Sequence, residues 1–266
     1  MAQVLRHLPF YSIPRVLAMP ISRPYFRVCR PFVSGDYINS ISSTYLSDPR
    51  NAGDLINLVR GYHLLEKQLY RIFDYVEPAD ANLHCFSHEL YALLLRASTE
   101  FEANARAILS VNGYVSSGNL TMRDYHKLNV ATRLSEYYVT VPIWNGSRKR
   151  FAPLNDWSHG PSLTWYQDYN SAKHDRSANF AKASMRNAID AVASVFCILF
   201  SQFHIFAFDP NHPVSGYSID DAGNHWSHDA CLLTIETPTT WKEEQKYDFD
   251  WDLLKTDAQA FNKYSF

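Results

Sequence analysis

Residues 165–176 run Trp165-Tyr166-Gln167-Asp168-Tyr169-Asn170-Ser171-Ala172-Lys173-His174-Asp175-Arg176, and a long apolar stretch from Met185 to Phe203 follows them. On a helix, Tyr166, Asn170 and His174 recur every four residues and share one face. Lys173 and Arg176 set positive charge beside His174, while Asp168 and Asp175 are candidates to orient its imidazole. An imidazole among cationic donors suits proton transfer on a phosphodiester. The same residues also suit a plain helix junction, in which Asn170 and Asp175 satisfy backbone groups and the cations are solvated.

Working outward, the apolar stretch carries Met185, Ile189, Val192, Phe196, Leu199 and Phe203 on one face, and the small Ala188, Ala191, Ala193 and Ser194 on the others. A helix that is apolar all round and rich in small residues belongs at the centre of a bundle. Upstream, Leu55, Leu58, Tyr62, Leu65, Leu69, Ile72 and Val76 form the seam of a long amphipathic helix. Ser47-Asp48-Pro49 marks its start and Pro78 its stop. A second helix begins at the N-cap candidate Ser87 and ends at Asn112-Gly113. The short break between them predicts an antiparallel hairpin. Weaker helices are predicted from the Thr121–Asp124 capping pattern to about Glu136, and from Ser162 to about Lys173.

Tyr138 to Val141 and Arg148 to Phe151 read as strands joined across an Asn145-Gly146 turn. Beyond Pro210 the helical period is lost, and Leu232 to Ile235 reads as a short strand. At the other end, Met1 to Val33 holds Arg6, Arg15, Arg23, Arg27 and Arg30 and no acidic residue. Pro9, Pro14, Pro20, Pro24 and Pro31 forbid an amphipathic targeting helix there. The predicted fold is mainly α: an antiparallel helical bundle over 47–207 with a β-hairpin insertion near 138–152. An extended basic arm over 1–46 and a small, partly β C-terminal appendage over 208–266 flank it.

Composition narrows the function classes. The 266 residues hold 25 Lys+Arg against 27 Asp+Glu, a net charge of −2, which argues against a bulk nucleic-acid binder but leaves room for a local basic site. Only 9 glycines, with no P-loop, dinucleotide fingerprint or nucleophile elbow, argue against those nucleotide and hydrolase sites. Cys29, Cys85, Cys197 and Cys231 form no CxxC pair, which fits unremarkable thiols in a reducing cytoplasm. The histidine pairs His84/His88 and His225/His228 lack a second half with metal-ligand spacing, so no metal and no cofactor is expected. The apolar run from Ala188 to Phe208 contains Asp190, Gln202 and His204, which argues against a membrane partner.

The Tyr-Asn-x-x-Lys-His-Asp-Arg run of residues 169–176, placed just before a long Ala-rich apolar helix and after a pair of long antiparallel helices, resembles the HEPN superfamily over about residues 50–207. The family signature is an Arg, usually followed by a polar residue, with a His four to six residues later. His174 and Asn170 match the His and the polar position, and Tyr169 stands where the family has Arg. In RNA-cutting members the resemblance implies His174 as general acid/base, cations such as Lys173 or Arg176 on the phosphate, and two protomers pooling their motifs in a homodimer. It also implies an acid from the second helix, Glu100 or Glu102, facing the His-bearing turn. The residues themselves equally read Arg96–Glu100 and Glu102–Arg106 as ordinary i,i+4 ion pairs. Two readings stay open: a protein engaging RNA or nucleotide phosphate as a metal-independent ribonuclease, and a non-catalytic helical binding or scaffold module in which the cluster from Asn170 to Arg176 is structural.

Overall fold

The computed structural model describes residues 19–38, 42–207 and 232–266, with 206–207, 217–219 and 225–228 described by backbone alone. The chain is mainly helical. Two long helices, α1 (Leu55–Phe73) and α2 (His88–Val111), are followed by two single-turn helices, α3 (Met122–His126) and α4 (Leu128–Thr132). The hairpin strands β1 (Tyr138–Val141) and β2 (Lys149–Phe151) lead into α5 (Thr164–His174), the short α6 (Arg176–Asn179) and α7 (Met185–Phe203). Strands β3 (Tyr217–Ile219), β4 (His225–His228) and β5 (Thr234–Glu236) and a last turn, α8 (Trp251–Leu254), complete the order.

Helix α7 is the axle of the bundle. It packs against α1, α2 and α5, and almost every residue from Met185 to Phe203 is buried. Its small residues Ala188, Ala191, Ala193 and Ser194 are fully buried, as are Ala97, Ser98 and Ala105 of α2. Small side chains on two packed helices let the backbones approach closely. Ser184 caps α7 through Asn187 N at 3.3 Å, and Ser87 caps α2 through Leu90 N at 3.1 Å. Gly113, at φ +81°, closes the C-terminal end of α2. Helix α1 buries Leu55, Val59, Tyr62, Leu65, Leu69 and Ile72, and it starts after Asp54. Ser47 instead ends a separate 3-10 turn.

The helix expected from Thr121 to about Glu136 is broken. The Thr121/Asp124 capping box forms, with Asp124 Oδ2 accepting from Thr121 N and Oγ1 at 2.8 Å. Arg133 then takes a left-handed conformation at φ +54° and ends α4. Its guanidinium bonds Glu136, three residues on, at 2.8 Å and the distant Gln245 at 2.8 Å, and lies over the Trp241 ring. Such partners hold an αL residue that local propensity disfavours.

The hairpin forms as expected, with Val139 opposite Phe151 and Thr140 opposite Arg150. The sheet is antiparallel in the order β2-β1-β5-β4-β3, and β5 pairs β1 with Ile235 opposite Val139. The described parts of the arm and of the C-terminal appendage share one core with the bundle, through Cys29, Phe32, Tyr247, Trp251 and Phe261 among others. Two arm arginines act as internal staples. Arg27 is buried, donates to Asp54 and Gln202, and bonds Asn51 through its backbone. Arg30 is also buried, donates to the carbonyls of Ala131 (3.0 Å) and Gln245 (3.3 Å), and faces the rings of Tyr25, Trp241 and Tyr264 at 5.1–5.4 Å. Among the described residues no helix is long and apolar enough to cross a membrane.

Candidate functional site

Helix α5 begins where Asp156 Oδ2 accepts from Thr164 N (2.9 Å) and Oγ1 (2.8 Å), a cap supplied from the preceding turn. It ends at His174, where Asp175 leaves the helical conformation at φ −140°, ψ 82° and starts α6 by accepting from Ala178 N at 3.2 Å. The chain therefore bends at a two-helix elbow, and Lys173, His174, Asp175 and Arg176 are all exposed on it. Among the described residues no hydrogen bond or ion pair reaches the His174 ring. Asn170, one turn earlier, is half-buried.

The acids expected to orient His174 are engaged elsewhere. Asp175 is consumed as the α6 cap. Asp168 accepts from Asn187 Nδ2 at 2.9 Å and pairs with Lys182 Nζ at 3.4 Å, and Lys182 also donates to Ser171 Oγ at 3.1 Å. These contacts tie α5 to the start of α7.

Tyr169 is buried at 2% exposure and receives a hydrogen bond from Lys173 Nζ at 3.0 Å. That bond raises the Lys173 pKa. Tyr166 stands beside it with ring centroids 5.2 Å apart and donates to Glu102 Oε1 at 2.8 Å. Burial, then the Glu102 carboxylate, push the Tyr166 hydroxyl well above the ordinary range. Arg106 lies beside Tyr125 and within electrostatic reach of Glu102. Of the expected residues, then, Glu102, Tyr166 and Lys173 meet on one face between α2 and α5. Glu100 does not join them: its carboxylate sits against Gly61 of α1, where a Cβ would lie 3.1 Å from Oε2. The expected Arg96–Glu100 pair is likewise replaced, since Arg96 donates to Gln68 of α1 at 3.2 Å.

Four aromatic groups beside the elbow were not anticipated. Phe180, in the turn after α6, lies 4.7 Å from the His88 ring, 5.4 Å from Phe86 and 6.2 Å from Tyr91, and the Arg176 guanidinium lies over Tyr91 at 5.9 Å. The sequence signal for this group is slight: Phe86 and His88 flank the cap Ser87, and Phe180 follows Arg176 by one turn. A separate groove of about 820 Å³ runs between α1 and α2, with Leu64, Tyr75 and Val76 in its wall and Lys67, Arg71 and Arg96 along it. It contains none of the elbow residues. Among the described residues no group of His, Cys, Asp and Glu could hold a metal ion; His84 lies outside α2, and the side chains of His225 and His228 lie outside the described set.

Comparison with protein-family models, with curated proteins and with solved structures gives no match.

Proposed function

We propose that the chain is an HEPN-like protein that engages RNA or nucleotide phosphate at the α5–α6 elbow, with His174 as general acid/base of a metal-independent ribonuclease. The observation that carries this reading is the exposed, uncommitted His174 imidazole between the exposed Lys173 and Arg176. A ring without a fixed partner is available to take and return a proton, and neighbouring cations draw a phosphodiester to it. The half-buried Asn170 stands on the same face of α5, one turn away. With Tyr169 buried at the family's Arg position, phosphate contact falls to Lys173 and Arg176, and a lysine there acts as a point charge without the arginine fork. Glu102 serves this face through Tyr166, as a positioning group. A homodimer that brings two elbows together belongs to the same reading.

The test compares RNA cleavage in EDTA by the wild type and by His174→Ala. The expected result is cleavage by the wild type and a loss of at least about a hundredfold in the variant. Equal rates in the two proteins would overturn the catalytic assignment.

A second reading is favoured by the Asp175 cap and by the Asp168–Asn187 bond, both of which make the elbow a structural joint. Under it the chain is a helical binding or scaffold module, and His174→Ala leaves every measured reaction unchanged.

A further inference from the structure

The aromatic group beside the elbow is built as a rigid, solvent-facing surface. The backbone before α2 is stitched to the start of α7: Met185 N donates to Cys85 O at 2.8 Å, Arg186 N donates to Leu83 O at 3.0 Å, and Phe86 bridges Ser184. Phe180 is held by the 3-10 turn that follows α6, and His88 and Tyr91 occupy the first turn of α2. Yet the rings are not sealed. Phe86 is 49% exposed and meets Phe180 nearly perpendicularly, at 82°, and His88 is exposed as well. Rings gathered at one place with Phe86 and His88 open to solvent offer a contact surface that an aromatic partner could cover. One cation borders the rings directly, since Arg176 is exposed and its guanidinium lies over Tyr91 at 5.9 Å, while the exposed Asp175 is engaged as the α6 cap. Glu89, in the same turn of α2, lines the separate α1–α2 groove.

We infer that Phe86, His88 and Phe180 form a stacking platform for an unpaired nucleobase, so that the substrate class is single-stranded nucleic acid and not duplex. The inference rests on reading the elbow as the phosphate-engaging site. Every nucleobase has a π-face, and a duplex keeps those faces stacked inside the helix, out of reach of a surface ring. Arg176 links the two functions: it adjoins His174 in the chain through Asp175 and touches Tyr91 of the ring group. A strand whose phosphate lies at the elbow then presents a flanking base to the rings. The platform is preorganised by its backbone pairing to α7, so binding a base requires little reordering.

Fluorescence anisotropy with labelled ten-nucleotide single-stranded RNA, single-stranded DNA of the same sequence and the matching RNA duplex tests this at fixed salt. The wild type is expected to bind either single strand at least about tenfold more tightly than the duplex. Phe86→Ala is expected to lose about tenfold on single strands, one stacked base being worth roughly 5- to 150-fold. Phe86→Trp should restore wild-type affinity and shows that the lesion is one of stacking and not of folding. If Phe86→Ala binds like the wild type while Arg176→Ala weakens single strand and duplex together, the platform is overturned and the elbow reading survives. If the wild type binds none of the three probes, both fall.

Discussion

Lys173 donates from its ammonium to the Tyr169 hydroxyl at 3.0 Å, one turn away on α5, and so places a cation directly over a buried tyrosine. The bond couples the floor of the elbow to its charged rim. Tyr169→Phe removes the acceptor and keeps the ring. Because Lys173 is exposed, the expected loss is no more than about 1 kcal/mol, read from the urea midpoint. A loss above about 3 kcal/mol would show that the hydroxyl holds more than Lys173.

Asp190 sits buried in the second turn of α7 with Oδ2 accepting from Arg186 Nε at 2.6 Å and Oδ1 without a hydrogen-bond partner. Burial outweighs the Arg186 charge and raises its pKa from 3.8 to about 6. The folded state therefore binds its proton more tightly than the unfolded chain. Stability from this group is complete below about pH 4 and is lost as pH rises through about 6. Asp190→Asn should flatten that slope, and the difference between the two proteins should change by on the order of 2–3 kcal/mol between pH 4 and 7. Denaturant titrations across that range decide it, and parallel curves would refute it.

The Asp156 cap holds the first turn of α5 through two bonds to Thr164. Asp156→Ala should cost about 1 kcal/mol and loosen that turn selectively. Hydrogen exchange should then quicken at the amides of residues 164–167 and stay unchanged in the middle of α7. Uniform acceleration would mean that the cap supports the whole bundle.

Arg30 joins the arm to the core by two carbonyl bonds and three ring faces, with only 4% exposure. Arg30→Ala should destabilise the protein by about 2–4 kcal/mol, since it empties a packed site and strips both carbonyls of a donor. Thermal unfolding measures it. A change below about 0.5 kcal/mol would show that the arm is held elsewhere.

The three long helices were legible because their information is local. The seam of α1, the Ser87 cap of α2 and the apolar run of α7 each repeat within one or two turns, and burial followed them. That Glu100 and Glu102 part company is legible too: residues two apart on a helix point to opposite sides, so the two never share a face. One meets Gly61 and the other Tyr166. The break at Arg133 and the employment of Asp168 had no such signal, because Trp241, Gln245 and Asn187 lie far along the chain from the residues they hold.

Periodicity and capping patterns in the chain sufficed to define a mainly helical protein with a central apolar helix, since those features act over distances of a few residues. They also located the cluster from Asn170 to Arg176 at a helix junction. Which of its side chains stay uncommitted was a tertiary outcome. Asp175 was taken as the cap of α6, Asp168 was taken by α7, and Tyr169 was buried under Lys173, leaving His174 and Arg176 in solvent beside rings drawn from α2 and the turn after α6. Each partner competes for a polar group through space, and a linear pattern records only the competitors within a turn or two.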